Sequence, residues 1–128
     1  MTRVNQIYKC NICGNIVEVL HAGAGQLVCC GQPMQLLTEK IDDIGKEKHI
    51  PIIEIENGTI KVKVGSIAHP MESNHYIEWV EIIVNDEVYR KTFKPGIKPE
   101  VELKIGRTIR ETVVRVYCNI HGLWKSTT

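Results

Sequence analysis

Apolar and polar residues alternate through most of the chain after Pro51, with the two-residue period of a β-strand. β-Branched and aromatic residues recur in these alternating segments, which span 52–55, 59–64, 76–84, 87–93, 101–105 and 108–117. Turn residues separate the segments at Asn57-Gly58, Asn85-Asp86, Pro95-Gly96 and Gly106. Closely spaced strands with short turns predict a mainly β chain whose larger part is an antiparallel β-sandwich of immunoglobulin-like type.

The first 36 residues have a different pattern, in which cysteines recur instead. Each of two cysteine pairs is followed directly by a glycine: Cys10 and Cys13 by Gly14, and Cys29 and Cys30 by Gly31. Only residues 16–20 alternate like a short strand. A piece this small cannot bury enough apolar surface to fold alone, so a metal held by four thiolates would supply most of its folding free energy. We therefore predict a metal-bound domain over 1–36, a linker over 37–46 and a β-sandwich domain over 47–128.

The spacing of these four cysteines predicts a tetrahedral metal site and leaves zinc and iron both open. The adjacent pair Cys29-Cys30 favours a distorted iron site, because neighbouring residues share one metal only with strained geometry. The alternative is two disulfides with one of the five cysteines left over. That alternative needs an oxidising compartment and does not explain the spacing.

A second candidate site follows the last predicted strand, where Cys118 and His121 lie three residues apart. Three more histidines lie far upstream in segments predicted as loops: His49, His69 and His75. A single histidine is more often a surface residue than a ligand, and we interpret His21 in that way. Grouped with a cysteine, however, the other four predict a metal site.

The number of donors in this second site decides which metal we expect. Structural zinc is satisfied by four ligands, whereas four imidazole nitrogens and one thiolate suit a five-coordinate iron with one vacant position. A thiolate also pushes electron density onto iron and onto whatever binds opposite it. The hypothesis is a reactive iron centre that carries out redox chemistry on a small oxygen ligand.

Glu47-Lys48 immediately precedes His49. On a linker such a pair is commonly a solvated charge pair, but beside a metal ligand both side chains would reach the vacant face. Lys48 could attract an anionic substrate and hold a water that delivers a proton. Glu47 could occupy the open position when the iron is ferric. Trp79, Tyr117 and Trp124 are expected to pack the core or to cover the site, with packing the commoner role for such residues. Residues 125–128 are expected to form a frayed tail.

The composition narrows the function further. A net charge of +1 with interspersed basic and acidic residues provides no basic stripe for nucleic acid. No apolar run approaches the roughly 20 residues that span a bilayer, and the first residues lack the apolar core of a signal peptide. We expect a soluble cytoplasmic protein with no nucleic-acid or membrane partner.

These residues closely resemble the desulfoferrodoxin family, the two-iron superoxide reductases of anaerobic and microaerophilic microbes. The resemblance covers almost the whole chain. Four residues match a desulforedoxin-like Fe(Cys)4 centre: Cys10, Cys13, Cys29 and Cys30. The remaining motifs match the catalytic centre: Glu47-Lys48-His49, His69-Pro70-Met71, His75 and Cys118-Asn119-Ile120-His121-Gly122. Some relatives carry a further histidine where this chain has Leu123, but that histidine is not a ligand.

The resemblance implies two iron ions per chain, with zinc as a possible substitute in the first centre. It also implies detoxification of superoxide by one-electron reduction to hydrogen peroxide, with Cys118 axial and the four histidines equatorial. The implied partners are a rubredoxin-like electron donor and a second copy of the chain. Two other functions remain open: a pure electron carrier with a saturated second iron, and a zinc-stabilised interaction module.

Overall fold

The computed structural model describes residues 1–42, 49–65 and 69–128. Within these ranges the regular secondary structure consists of β-strands alone. The strands are β1 (Ile7–Lys9), β2 (Ile16–Glu18), β3 (Val28–Cys29), β4 (Gln32–Pro33), β5 (Gln35–Leu36), β6 (Pro51–Glu56), β7 (Thr59–Val64), β8 (Ile77–Val84), β9 (Glu87–Thr92), β10 (Glu100–Lys104), β11 (Thr112–Cys118) and β12 (Gly122–Thr127). In the described part of the chain, no helix is long and apolar enough to cross a membrane.

The chain divides into two compact units, Met1–Thr38 and Glu39–Thr128. In the first unit, β1 is the centre of a three-stranded antiparallel sheet with the order β2-β1-β5, and β3 pairs with β4. Its buried side chains are few, chiefly Ile7, Cys10 and Val19. Such a small core agrees with a unit that depends on a metal for stability. We propose that a linker over residues 37–46 separates the two domains.

The second unit is a β-sandwich of two antiparallel sheets, with the strand orders β10-β7-β6 and β12-β11-β8-β9. Strand β7 shows why the sheets pack. Ile60, Val62 and Val64 are buried, while Lys61 and Lys63 between them are exposed. These apolar residues join one core with side chains from β8 and β11 of the other sheet: Ile77, Val80, Ile82, Val84, Val114 and Val116. The predicted mainly β fold is confirmed.

The turn chemistry agrees with the sequence pattern at two hairpins. Asn57 and Gly58, between β6 and β7, have φ angles of 51° and 74°. Asn85 and Asp86, between β8 and β9, have φ angles of 50° and 63°. Two consecutive left-handed residues match the twist of the flanking strands, and Asn, Asp and Gly adopt this conformation at the lowest cost.

Two details of the sequence prediction at the C-terminus are wrong. Residues 125–127 are not a frayed tail, because they continue β12, where Lys125 pairs with Arg115 of β11. The predicted strand over 108–117 begins only at Thr112. Before that point, Asn85 takes the place of a neighbouring strand, since its side chain donates to the carbonyl of Thr108 and accepts from the amide of Arg110.

Candidate metal centres

Two glycine turns bring the four cysteines of the first unit together. Gly14 has a φ of 85° and Gly31 a φ of 74°, values that an L side chain rarely adopts. Cys30, just before Gly31, also has a positive φ of 52°. This left-handed pair lets two adjacent residues turn towards one centre, and the strain expected from their adjacency is visible in the backbone of Cys30.

The sulfur geometry of this first site fits a tetrahedral metal. One ligand atom from each cysteine lies within 4.8 Å of every other. The sulfur of Cys29 lies 3.6 Å from that of Cys13 and 4.0 Å from that of Cys30. Four sulfurs bound at about 2.3 Å around one ion would lie about 3.8 Å apart. Since the two observed distances lie on either side of this value, the donor set fits iron or zinc.

Local hydrogen bonds shift the pKa values of three of these thiols in different directions. Backbone amides of Cys13 and Ile12 stabilise the thiolate of Cys10 and lower its pKa to about 6. Hydrogen bonds with the other cysteines raise the pKa of Cys30 to about 12, and the bond with Cys13 contributes most. The pKa of Cys29 is also raised, again chiefly by its hydrogen bond with Cys13. Ionisation of one thiol disfavours ionisation of its neighbours because like charges repel, and a bound cation offsets that repulsion.

Cys118 lies at the end of β11, where the ladder to β8 is irregular. Tyr117 pairs with Trp79, but Cys118 pairs with Ile77, so Glu78 of β8 is an extra residue. A bulge of this kind re-aims side chains and is common beside functional sites. Here both Cys118 and Ile77 are fully buried in the sandwich core.

The turn from β11 to β12 carries His121 and is tied to the segment before β8. The Asn119 side chain accepts from the amide of Tyr76 at 2.9 Å and donates to the carbonyl of Asn74 at 3.1 Å. These bonds fix the turn next to His75, which lies between Asn74 and Tyr76. The Cys118 sulfur then lies 3.9 Å from Nδ1 of His121.

Four histidines form a closed ring, in which each imidazole contacts two others. Neighbouring ring centroids lie 4.7 to 5.1 Å apart, and the ring planes meet at 63° to 83°. The cyclic order is His49, His69, His75 and His121. A square of this side has its centre about 3.4 Å from each centroid, which leaves room for a metal–nitrogen bond of about 2.1 Å. The four imidazoles would together hold one ion in this arrangement.

The nitrogen positions agree with this interpretation. Nε2 of His49 lies 3.1 Å from Nδ1 of His121. Two nitrogens bound at right angles to one metal, with bonds of about 2.1 Å, would lie about 3.0 Å apart. Nδ1 of His69 lies 2.8 Å from the carbonyl of Pro70, a contact that favours the tautomer whose Nε2 carries the lone pair.

Ligand atoms of four of these residues lie within 4.8 Å of one another: His49, His75, Cys118 and His121. His69 joins them through its ring contacts with His49 and His75. The structure therefore brings together all five residues that the sequence predicted for the second site. His21 is exposed and belongs to the other unit, as expected. Glu47 and Lys48 lie outside the described residues.

Trp124 covers one side of the second site. Its indole is buried and stacks on the His49 imidazole, with centroids 4.5 Å apart and planes 10° apart. Met71 packs against the sandwich core, and its sulfur accepts a bond from the amide of Ile77 at 3.4 Å. The sequence predicted that Trp124 packs the core or covers the site, and its stack on a candidate ligand agrees with the second role.

A β-sandwich that gathers four imidazoles and one thiolate, joined to a small four-thiolate unit, defines a class of two-centre metalloproteins. Two family models match the chain in tandem: "Desulfoferrodoxin, N-terminal domain" over residues 2–37 and "Desulfoferrodoxin" over residues 41–127. The chain belongs to the desulfoferrodoxin family.

Close relatives extend over the full length of the chain. A desulfoferrodoxin homolog from Archaeoglobus fulgidus is 59% identical over 126 residues, which cover 98% of this chain and 99% of that protein. A desulfoferrodoxin homolog from Methanothermobacter thermautotrophicus is 58% identical over 125 residues, which cover 97% and 99%. The crystal structure of the superoxide reductase from Treponema pallidum aligns with a TM-score of 0.75 and 27% identity, covering 94% of this chain and 96% of that one.

Proposed function

We propose that this protein is a superoxide reductase, which reduces superoxide by one electron to hydrogen peroxide. The observation that carries this conclusion is the ring of four imidazoles with a thiolate beside it. Such a set of five donors leaves an iron one position for a small ligand. When bound, ferrous iron supplies the electron. The similarity to the Treponema pallidum superoxide reductase supports the same activity.

The protein's own residues hold and shield the site. We propose His49, His69, His75, Cys118 and His121 as the ligands of the second iron, and Cys10, Cys13, Cys29 and Cys30 as those of the first. Burial supports the second assignment, since Cys118, His49 and His69 are at most 4% exposed. A site so shielded from water strengthens electrostatic interactions with an anionic substrate.

Glu47 and Lys48 are assigned roles at the second iron from their place in the sequence alone. Each superoxide takes up one electron and two protons to become hydrogen peroxide, so the site needs a proton source. We propose that Lys48 attracts the anion and holds a water that delivers a proton. Glu47, one residue earlier, would bind the metal after oxidation and assist product release.

We further propose a rubredoxin-like carrier as the electron donor and a homodimer as the working assembly. Exposed apolar side chains of the first unit support self-association, because contact with a second copy would remove apolar surface from water. These side chains are 39% to 82% exposed: Ile12, Val17, Leu20, Val28 and Leu36. None of the five cysteines, all of which lie in the described residues, forms a disulfide, and we propose a reducing, cytoplasmic location on that ground.

A product assay tests the proposed activity. Fully reduced, iron-loaded protein should convert each superoxide into one hydrogen peroxide and release no dioxygen. A dismutase would instead release one dioxygen for every hydrogen peroxide. An electron carrier would leave superoxide to decay at its spontaneous rate, and a zinc module would contain no iron on elemental analysis.

A further inference from the structure

Lys40 is attached to the strand that carries Trp124, although its sequence position predicted only a linker. Its amide donates to the carbonyl of Leu123 at 2.9 Å, and its carbonyl accepts from the amide of Lys125 at 2.8 Å. These two bonds make a parallel bridge in which Lys40 pairs with Trp124 itself. The backbone of Lys40 is thus fixed beside the indole.

The Lys40 side chain contacts two parts of the second site. Its ammonium donates to the carbonyl oxygen of His121 at 2.7 Å and lies 5.1 Å from the ring centroid of Trp124. The second distance is within the range of a cation–π interaction. Because the indole stacks on His49, one cation is linked to His121 through a carbonyl and to His49 through an aromatic ring.

The charge of Lys40 is not neutralised by the anion next to it in sequence. The Glu39 carboxylate lies 3.6 Å from Arg115 and 3.6 Å from Lys125, so it pairs with those two cations. Lys40 is exposed, yet its hydrogen bond and ring contact hold the ammonium against the site. A positive charge held there interacts more favourably with the ferrous than with the ferric state, because the ferrous site carries one positive charge less.

We propose that Lys40 is a positioning residue of the second centre: it fixes the turn that presents His121, supports the Trp124–His49 stack, and favours the ferrous form through its charge. The inference rests on the proposed iron site and function. Lys40 would thereby influence the reduction of the centre although it is not one of the ligands.

Three variants separate charge from contact. Lys40→Arg keeps the charge and the donor, Lys40→Gln keeps a donor without the charge, and Lys40→Ala removes both. The matched control is Lys63→Gln, an exposed lysine on β7 in the other sheet. For each iron-loaded protein, the ferrous-to-ferric ratio of the second centre is measured at fixed applied potential from its thiolate-to-iron absorption. The rate of iron loss to a chelator is measured alongside.

Lys40→Gln should shift the ratio towards ferric by about two- to fivefold, because it removes a cation that favours the ferrous state through a charge interaction that solvent partly screens. Lys40→Arg and Lys63→Gln should leave the ratio unchanged, and Lys40→Ala should also release iron faster than Lys40→Gln. An unchanged ratio in Lys40→Gln, or equal iron loss in Lys40→Ala and the unmutated protein, overturns the proposal. Neither readout needs superoxide, so failure here is distinct from failure of the reductase activity.

Discussion

The sulfur of Cys118 lies 3.9 Å from Nδ1 of His121 because the chain reverses between β11 and β12 within three residues. Asn119 fixes that reversal through its two side-chain hydrogen bonds. The same turn therefore supplies a thiolate and an imidazole to one site. The thiolate is the only anionic donor among the five residues assigned to the second iron.

Replacing that thiolate tests its role directly. Cys118→Ser should lower the rate of superoxide reduction by at least about 100-fold, because loss of partners that merely orient a ligand already costs 10–100-fold. The rate is measured by rapid mixing of reduced protein with superoxide. Cys30→Ser is the control, since its side chain belongs to the four-cysteine site. Equal loss of activity in both variants would contradict separate roles for the two centres.

His69 provides a second test, because it joins the ring through His49 and His75 rather than through Cys118. His69→Ala should weaken iron binding at the second centre by about 10-fold or more, since one of five donors is lost. Iron affinity is measured by competition with a chelator. His21→Ala, at an exposed histidine of the other unit, should bind iron as the unmutated protein does. Unchanged affinity in His69→Ala would remove this residue from the ligand set.

The β7 strand and the Cys118–His121 pair are the features that the sequence predicts most directly. Strand β7 was predicted with its observed bounds, because its alternation is strict and an Asn-Gly turn precedes it. Cys118 and His121 are close along the chain, so their spacing alone points to a shared metal ion.

Other features depend on contacts between distant segments, which a local pattern cannot specify. The histidine ring closes only when the residues before β6 and β8 meet the β11–β12 turn. The ligand types of these residues suggested that grouping and the family resemblance matched it, whereas periodicity did not specify it. Lys40 bridges to Trp124 across 84 positions of sequence, within a segment predicted as linker. Strand β12 was missed entirely, because Lys125, Ser126 and two threonines lack the apolar alternation of a buried strand.

A buried ion pair on β8 and β11 predicts a large effect on stability. Glu81 is fully buried and accepts hydrogen bonds from Arg115 and, at 2.6 Å, from Arg90. Arg115→Met should reduce the free energy of unfolding of the sandwich by about 3 kcal/mol, because it removes the buried partner of a buried carboxylate. Chemical denaturation of the iron-loaded protein measures the change.

The control for that variant is an exposed ion pair in the same unit. Arg107 and Glu87 are each about half exposed, and their side chains lie 2.5 Å apart. Arg107→Met should cost less than about 1 kcal/mol, because solvent screens an exposed pair. Equal destabilisation by Arg115→Met and Arg107→Met would show that burial does not set the contribution of the Glu81 pair.

The pKa shifts in the four-cysteine site predict that metal binding there depends on pH. The pKa of Cys30 is raised to about 12 and that of Cys29 is also raised, so at pH 7 both thiols must release protons when a metal binds. Affinity should therefore rise at least about 100-fold per pH unit near pH 7. As the pH falls through about 6, the Cys10 thiolate is protonated as well, and the dependence should become steeper.

Calorimetric titration with zinc in buffers of different ionisation enthalpy counts the released protons. At least two protons per zinc are expected at pH 7. Binding that releases none would show that the thiols are already ionised together, against the raised pKa values of Cys29 and Cys30.

A ferrous centre with four imidazoles and one thiolate is expected to give one electron to superoxide. Anaerobic stopped-flow mixing of the fully reduced protein with superoxide tests it most directly, with the iron content determined on the same sample. We predict rapid oxidation of the second centre, with one iron oxidised for each superoxide consumed and hydrogen peroxide as the product. A second centre that contains iron yet stays reduced while superoxide decays at its spontaneous rate would contradict the claim.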